Sequence, residues 1–266
     1  MKDEKDWFNP RRFILVSLDT DPDAMMQSKM LVHAGEAFGF SVNQLRVALS
    51  RLVAEGLLEN PGRGLYRLNN QGALLQQEIQ RWRTLEKQRR KWRGDWCAIL
   101  TENLASEGST VWRHQMRVLN LRGMARWRPG LWVRPNNLRG GAEQLMTDLR
   151  QLGLDAIQGS FLVKQADNDC LEQLTGLWDC QALERGYQDQ TQQVCAAIKR
   201  LKRLSVHQGL VDTLKVGSET VRLLTKDPLL PDEMVDGEKR QAVATAMMEY
   251  DDMGKQLWRE FYSSVK

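Results

Sequence analysis

Metal-binding and redox-active residues are scarce in this chain, and the few present are scattered. Three histidines, His33, His114 and His207, stand alone, and the four cysteines, Cys97, Cys170, Cys180 and Cys195, form no CxxC pair. Reduced, buried or incidental thiols are therefore expected, rather than a zinc site or a disulfide framework. Long apolar runs are missing as well: no window approaches the roughly eighteen uninterrupted apolar residues of a membrane span. The opening residues MKDEKDWFNPRRF are charged throughout and lack an apolar stretch followed by a small-residue cleavage site. A cytoplasmic protein with no membrane partner is expected. GxSxG, HExxH and Walker-type motifs are absent too, which leaves an enzyme unsupported and gives no reason to expect a cofactor or metal.

What the chain does have is ordinary core material and an uneven charge. Its 266 residues, 42% hydrophobic and 27% charged, suit about two domains, or three small ones. The net charge is +4, yet residues 1–94 carry +5, residues 95–139 carry +4 and residues 140–266 carry −5. A basic front and an acidic back suggest that one end meets a polyanion while the other does something else.

The front holds a helix, a turn and a second helix. From Ala24 to Gly39, AMMQSKMLVHAGEAFG places Met26, Met30, Leu31 and Ala34 near helical spacing, and Gly35 and Gly39 punctuate its end. In SVNQLRVALSRLVAEGLLE, Ser41 is a good N-cap, and Leu45, Ala48, Leu49, Leu52 and Val53 form one apolar stripe. The opposite face carries Asn43, Gln44, Arg46, Ser50 and Arg51. After Gly56, Leu57–Leu58 and Leu65–Leu68 read as two short strands around Asn60, Pro61, Gly62, Arg63 and Gly64. That order is a winged helix-turn-helix. In a major groove Asn43, Gln44 and Arg46 would meet base edges, amides suiting adenine and guanidinium suiting guanine. Ser41, Ser50, Arg51 and Arg67 would lie beside them, with Arg63 at the hairpin tip in reach of a phosphate or the minor groove. The alternative is a winged-helix protein-interaction adaptor without specific DNA binding, whose polar helix face is merely solvated. The basic charge of this half favours DNA.

The run FGFSVNQLRVALSRLVAEGLLEN, followed by GRGLYRLNNQG, resembles the N-terminal domain of the PaaX family of bacterial transcriptional regulators, named after the repressor of phenylacetate degradation. KWRGDW (91–96), LRGMARWRPGLWVRP (121–135), LWDCQALERGY (177–187) and DPLLP (227–231) follow in the order that family uses for its later segments. Pattern and resemblance together give an α+β multidomain chain: a winged-helix DNA-binding domain over 1–72, a connecting basic helix over 73–94, a central domain over 95–166 and a C-terminal helical domain over 167–266. The resemblance implies that the central domain is a ferredoxin-like (Cas2-like) α/β sandwich, and that the protein is a repressor responding to aryl-coenzyme A thioesters. One segment departs from the family. Where members follow the LP turn with a second proline and a tryptophan-glycine motif, this chain has DEMVDGEKRQ, keeping only Gly237 in about the right place. If that loop shapes the effector site, this protein senses a different compound or none.

Residues 73–93 look like one continuous helix, and residues 81–93 contain seven basic groups against Glu86 alone. Trp82 and Trp92 are expected to pack, while the basic groups add contacts to the phosphate backbone. WCAILTE then suits a strand, Ser109–Leu121 a helix, GLWVRP a strand, GAEQLMTDLRQLGL a helix and SFLVKQ a strand, a small α/β sandwich with helices on one face. Within it Val111–Pro135 holds six arginines, three tryptophans and no carboxylate. Trp112, Trp127 and Trp132 are expected in the core or a subunit contact, and the arginines on one helix and the loop after it. Three roles compete for the arginines. They form a solvated rim, a polar contact with the acidic C-terminal third or another subunit, or an anion pocket. In the last, Arg113, Arg117, Arg126 and Arg128 are the effector candidates, and Arg126 or Arg128 would fork onto a coenzyme phosphate. A nuclease needs carboxylates converging on magnesium, and the first strand offers none before Glu102, so this domain reads as a scaffold.

Cys170 to Leu204 looks helical throughout, with further helices near 207–225 and 238–262 and a proline-bounded turn at DPLLP. The resulting expectation is a dimeric repressor of a catabolic operon. It would bind double-stranded DNA as a homodimer, two recognition helices one DNA turn apart, and be released by a small acidic or acyl-CoA effector.

Overall fold

The computed structural model describes residues 9–19, 25–70, 72, 80–102 and 104–264. It is an α+β protein whose described residues divide into two compact units. One comprises residues up to 81 together with 191–221 and 245–264; the other comprises 82–190 together with 222–244. Residues 167–266, expected as a helical domain, supply helices to both units.

The first unit begins with helix α1 (Pro10–Asp19), strand β1 (Met26–Gln27), helix α2 (Ser28–Glu36) and helix α3 (Val42–Ala54), and continues with strands β2 (Leu58–Gly62) and β3 (Leu65–Leu68). The strands form an antiparallel sheet in the order β1-β3-β2. Met26 and Gln27 are drawn out of the helix expected from Ala24 because they pair with Tyr66 and Leu65. Helix α2 ends in a Schellman turn: Gly39, at φ +82°, donates to the Glu36 carbonyl at 2.9 Å, and Phe40 donates to the Gly35 carbonyl at 3.2 Å. Gly35 sets how closely α2 and α3 approach, since a Cβ there would lie 2.7 Å from the Leu45 methyls.

Leu45, Ala48, Leu49 and Leu52 of α3 enter a core with Phe13, Ile14 and Leu18 of α1, Leu31 and Ala34 of α2, and Leu58 and Leu68 of the hairpin. Val53, placed on the same stripe by sequence spacing, is 37% exposed because it sits at the edge of the buried arc. Three long helices follow late in the chain: α7 (Cys180–Leu201), α8 (Val206–Thr225) and α9 (Gly237–Ser264). In this unit Leu210 and Leu214 of α8 and Trp258 and Tyr262 of α9 join the same core, with Phe38 stacked on Trp258 at 5.7 Å. Asp212 ties the three helices, accepting from Arg200 at 2.7 Å and from the Tyr250 hydroxyl at 2.8 Å.

The second unit contains β4 (Trp96–Thr101), α4 (Thr110–Leu121), β5 (Ala125–Arg128), β6 (Leu131–Pro135), α5 (Gly141–Gln151), β7 (Ile157–Val163) and α6 (Asn168–Thr175). The chain runs β-α-β-β-α-β, and the four strands lie antiparallel in the order β5-β6-β4-β7. Cys97, Ile99 and Trp132 face α4 and α5, where they meet Val118, Leu119, Leu145 and Leu149. Trp96, Ala98 and Val133 face the other way, toward Leu174 of α6, Trp92 and Trp178. Central strand β4 is therefore covered on both faces, which is why WCAILT alternates only weakly. Cys97 donates to Asn136 Oδ1 at 3.3 Å, and burial pushes its thiol up to about 11.

Two helices expected from the sequence are interrupted by tertiary contacts. From Arg81 onward the basic segment has only two short 3-10 turns, Arg81–Arg83 and Glu86–Gln88. Its backbone is then captured by the 137–139 loop, Arg90 donating to the Asn137 carbonyl and Arg139 to the Gln88 carbonyl, both at 2.8 Å. Residues 73–79 of that expected helix lie outside the described residues. Between α6 and α7 the chain turns at Gly176–Asp179, where Trp178 stacks on Trp96 at 6.2 Å and Asp179 caps α7 by accepting from Ala182 at 2.8 Å.

Candidate nucleic-acid interface

Helix α3 begins in a complete capping box. Ser41 Oγ accepts from the Gln44 amide at 3.2 Å, and Gln44 Oε1 accepts from the Ser41 amide at 2.8 Å. Both residues are exposed, but Ser41 Oγ and Gln44 Oε1 each already accept a backbone bond, so Ser41 positions the helix start and Gln44 keeps its side-chain NH2 to donate to a ligand. With Leu45, Ala48, Leu49 and Leu52 inward, Asn43, Arg46, Val47, Ser50, Arg51 and Ala54 are exposed. Among the described residues, no acidic partner neutralises Arg46 or Arg51. Val47, 41% exposed, escaped the sequence reading. Its signal was an apolar side chain one turn after Asn43, out of phase with the stripe.

The hairpin brings a second basic point. Glu59 pairs with Arg67 across β2 and β3, so the Arg67 charge is matched by a salt bridge. Arg63 is different. It forms the turn with Gly64, and both have positive φ, +54° and +69°, the requirement of a type I′ two-residue turn between Gly62 and Leu65. Asn60 braces the approach by accepting from the Gly62 amide at 2.9 Å. Arg63 is exposed, and no acidic group among the described residues pairs with it.

The Val111–Pro135 arginines separate into two kinds. Arg122 and Arg134 are buried. Arg122 pairs with Asp148 at 3.2 Å. Arg134 donates to the carbonyls of Arg122, Pro135 and Pro228 and to Asn137 Oδ1. With Asn137, which donates to the Leu229 carbonyl at 2.6 Å, and Arg240, which donates to the Leu230 carbonyl at 2.9 Å, it holds the buried DPLLP turn. Gly123 lets that turn approach, since a Cβ would meet the Pro228 carbonyl oxygen at 2.6 Å.

Arg113, Arg117, Arg126 and Arg128 are exposed. Arg113 and Arg117 lie on α4; Arg126 and Arg128 lie on edge strand β5, not in a loop, because the backbone there pairs with β6. A register shift between them sets Arg126 opposite Trp132 and Arg128 opposite Leu131, residues that pack on opposite faces of the sheet. Arg126 thus leaves the sheet on the α4 and α5 side and Arg128 on the other. The Arg128 guanidinium lies 5.1 Å from the Trp127 ring and donates to Gln173 Oε1 at 2.6 Å. Trp132 is in the core and Trp127 packs on the α6 side.

The basic stretch before β4 is also partly engaged. Arg89 is paired with Glu86 at 3.0 Å and with Asp232, and Arg90 donates to the Asn136 carbonyl at 3.0 Å. Trp92 packs edge-on against Trp96 at 5.4 Å. The DEMVDGEKRQ segment serves internal contacts: Asp232 meets Arg89 and Arg240, and Asp236 caps α9 by accepting from Glu238 at 3.0 Å. Among the described residues no group of three or more His, Cys, Asp and Glu side chains is placed to hold a metal ion, and no helix is long and apolar enough to cross a membrane.

No family model matches the chain, and no curated protein does. Among solved structures it is similar to the uncharacterized protein Rv0674 from Mycobacterium tuberculosis, with a TM-score of 0.59 and 23% identity over 92% of this chain and 98% of that one. At that identity the likeness concerns the fold alone.

Proposed function

We propose that this protein is a sequence-specific DNA-binding transcriptional regulator, acting as a homodimeric repressor of a catabolic operon and released by a small acidic or acyl-CoA effector. The observation that carries the reading is the outward face of α3, where Asn43, Arg46, Ser50 and Arg51 are exposed and both arginines lack an acidic partner among the described residues. Helices α2 and α3 and the β2-β3 hairpin follow one another as in a winged helix-turn-helix, whose second helix enters the major groove. On this reading Arg63 at the hairpin tip meets a phosphate or the minor groove, and the unmatched charge supplies the phosphate attraction that duplex binding needs. The β-α-β-β-α-β unit with strand order β5-β6-β4-β7 fits a ferredoxin-like scaffold.

The repressor role, the dimer and the effector rest on the sequence resemblance to PaaX regulators. Because Arg126 and Arg128 leave the sheet on opposite faces, an effector phosphate would be held by one of them and not by both. The test is selection of bound fragments from genomic DNA with the full chain, then challenge of the complex with aryl- and acyl-coenzyme A compounds. Enrichment of a shared inverted repeat, released by one such compound, supports the proposal. Equal recovery of all fragments refutes it.

A further inference from the structure

The outward ridge of α3 is not uniformly polar. Asn43, Val47, Ser50 and Ala54 recur at i, i+4, i+7 and i+11, so a helix of 3.6 residues per turn sets them in one line. That line is diametrically opposite Leu45, Ala48, Leu49 and Leu52, which are buried. Arg46 flanks the ridge on one side and Gln44 and Arg51 on the other. The ridge itself is therefore slim, uncharged and capable of deep entry into a groove, while the guanidinium groups beside it are long enough to reach the walls. Val47 is its most prominent apolar member, at 41% exposure. A β-branched residue here gains nothing from the core and lowers helix propensity relative to alanine.

Building on the DNA-binding reading above, we infer that Val47 is a specificity-determining residue that contacts the 5-methyl group of a thymine in the major groove. The thymine methyl is the one apolar feature a base pair presents there, and it marks T·A apart from every pair without it. Asn43, one turn earlier on the same line, has the amide that bonds adenine N6 and N7. A ridge of this composition reads A·T-rich sequence at its centre, leaving guanine contacts to the flanking arginines.

The experiment begins with in vitro selection from a random duplex library using the full wild-type chain. Binding is then measured by fluorescence anisotropy on the enriched duplex and on copies in which one thymine at a time is replaced by deoxyuridine, which removes only the methyl group. For wild type, one position per half-site loses about four-fold in affinity, the worth of burying one methyl-sized group. In Val47→Ala, a change that favours the helix, that penalty falls toward one-fold, while the salt dependence is unchanged because no phosphate contact is lost. A penalty of the same size in both proteins, or no penalty at any thymine, overturns the assignment and leaves DNA binding intact. Failure to enrich any duplex overturns the DNA-binding reading and the assignment with it.

Discussion

Replacing Arg63 by glycine should raise stability and lower DNA affinity together. Arg63 holds φ +54° at the centre of the β2-β3 turn, a region in which an L-residue with a Cβ costs about 1–2 kcal/mol. Glycine removes that cost, and its greater freedom in the unfolded chain takes back about 0.5–1 kcal/mol. The side chain is exposed and has no acidic partner among the described residues, so no folded-state contact is lost. The net gain is about 0.5–1 kcal/mol, which raises the melting midpoint by about 1–4 °C in a chain of this size. If the guanidinium meets one phosphate, Arg63→Gly also lowers the slope of log K against log salt by about 0.9. Circular dichroism melts and anisotropy titrations at several salt concentrations read both effects. A lower melting midpoint would refute the argument from turn conformation, and an unchanged salt slope would refute the phosphate contact.

Arg46→Ala should weaken specific binding by about 1–3 kcal/mol and relax sequence preference at one position if the side chain forks onto a base; an equal loss on random duplex reassigns it to phosphate. Arg134→Met should destabilise by at least about 2–3 kcal/mol, because buried carbonyls of the DPLLP turn lose their donor, whereas Arg126→Ala should stay within about 0.5 kcal/mol, as denaturant titration will show. Cys97 should resist alkylation at pH 8 while exposed Cys195 reacts. Because the Cys97 thiol holds its proton in the folded state when the unfolded chain releases it, stability should fall as pH rises from about 8.5 toward about 11, and Cys97→Ser should flatten that part of the profile.

Local signals made much of the first unit legible. Ser41 announces the start of α3 as its N-cap, Gly39 and Gly56 mark helix ends, and Asn60 to Gly64 marks the hairpin turn. What escaped depends on partners distant in sequence. Helix α1 was not foreseen; its Phe13 packs against Trp258, at 6.2 Å. Strand β5, ARWR, is short and basic and becomes a strand only because β6 supplies its hydrogen bonds. Arg122 and Arg134 looked like their exposed neighbours, and nothing near them in sequence revealed Asp148 or the DPLLP carbonyls that bury them. The same limit applies to the candidate site: residue type and spacing identified the outward face of α3 and its Ser41 cap, but not the return bond that engages the Gln44 side chain or the ion pair that occupies Arg67.

The central claim is that the unneutralised face of α3 enters a duplex, and equilibrium binding across ionic strength tests it most directly. The full chain should bind its selected duplex with log K falling linearly against log salt, and at least about 10³-fold more tightly than random duplex under the same conditions. No measurable duplex affinity even near 50 mM salt, or equal affinity for selected and random sequences, would contradict it.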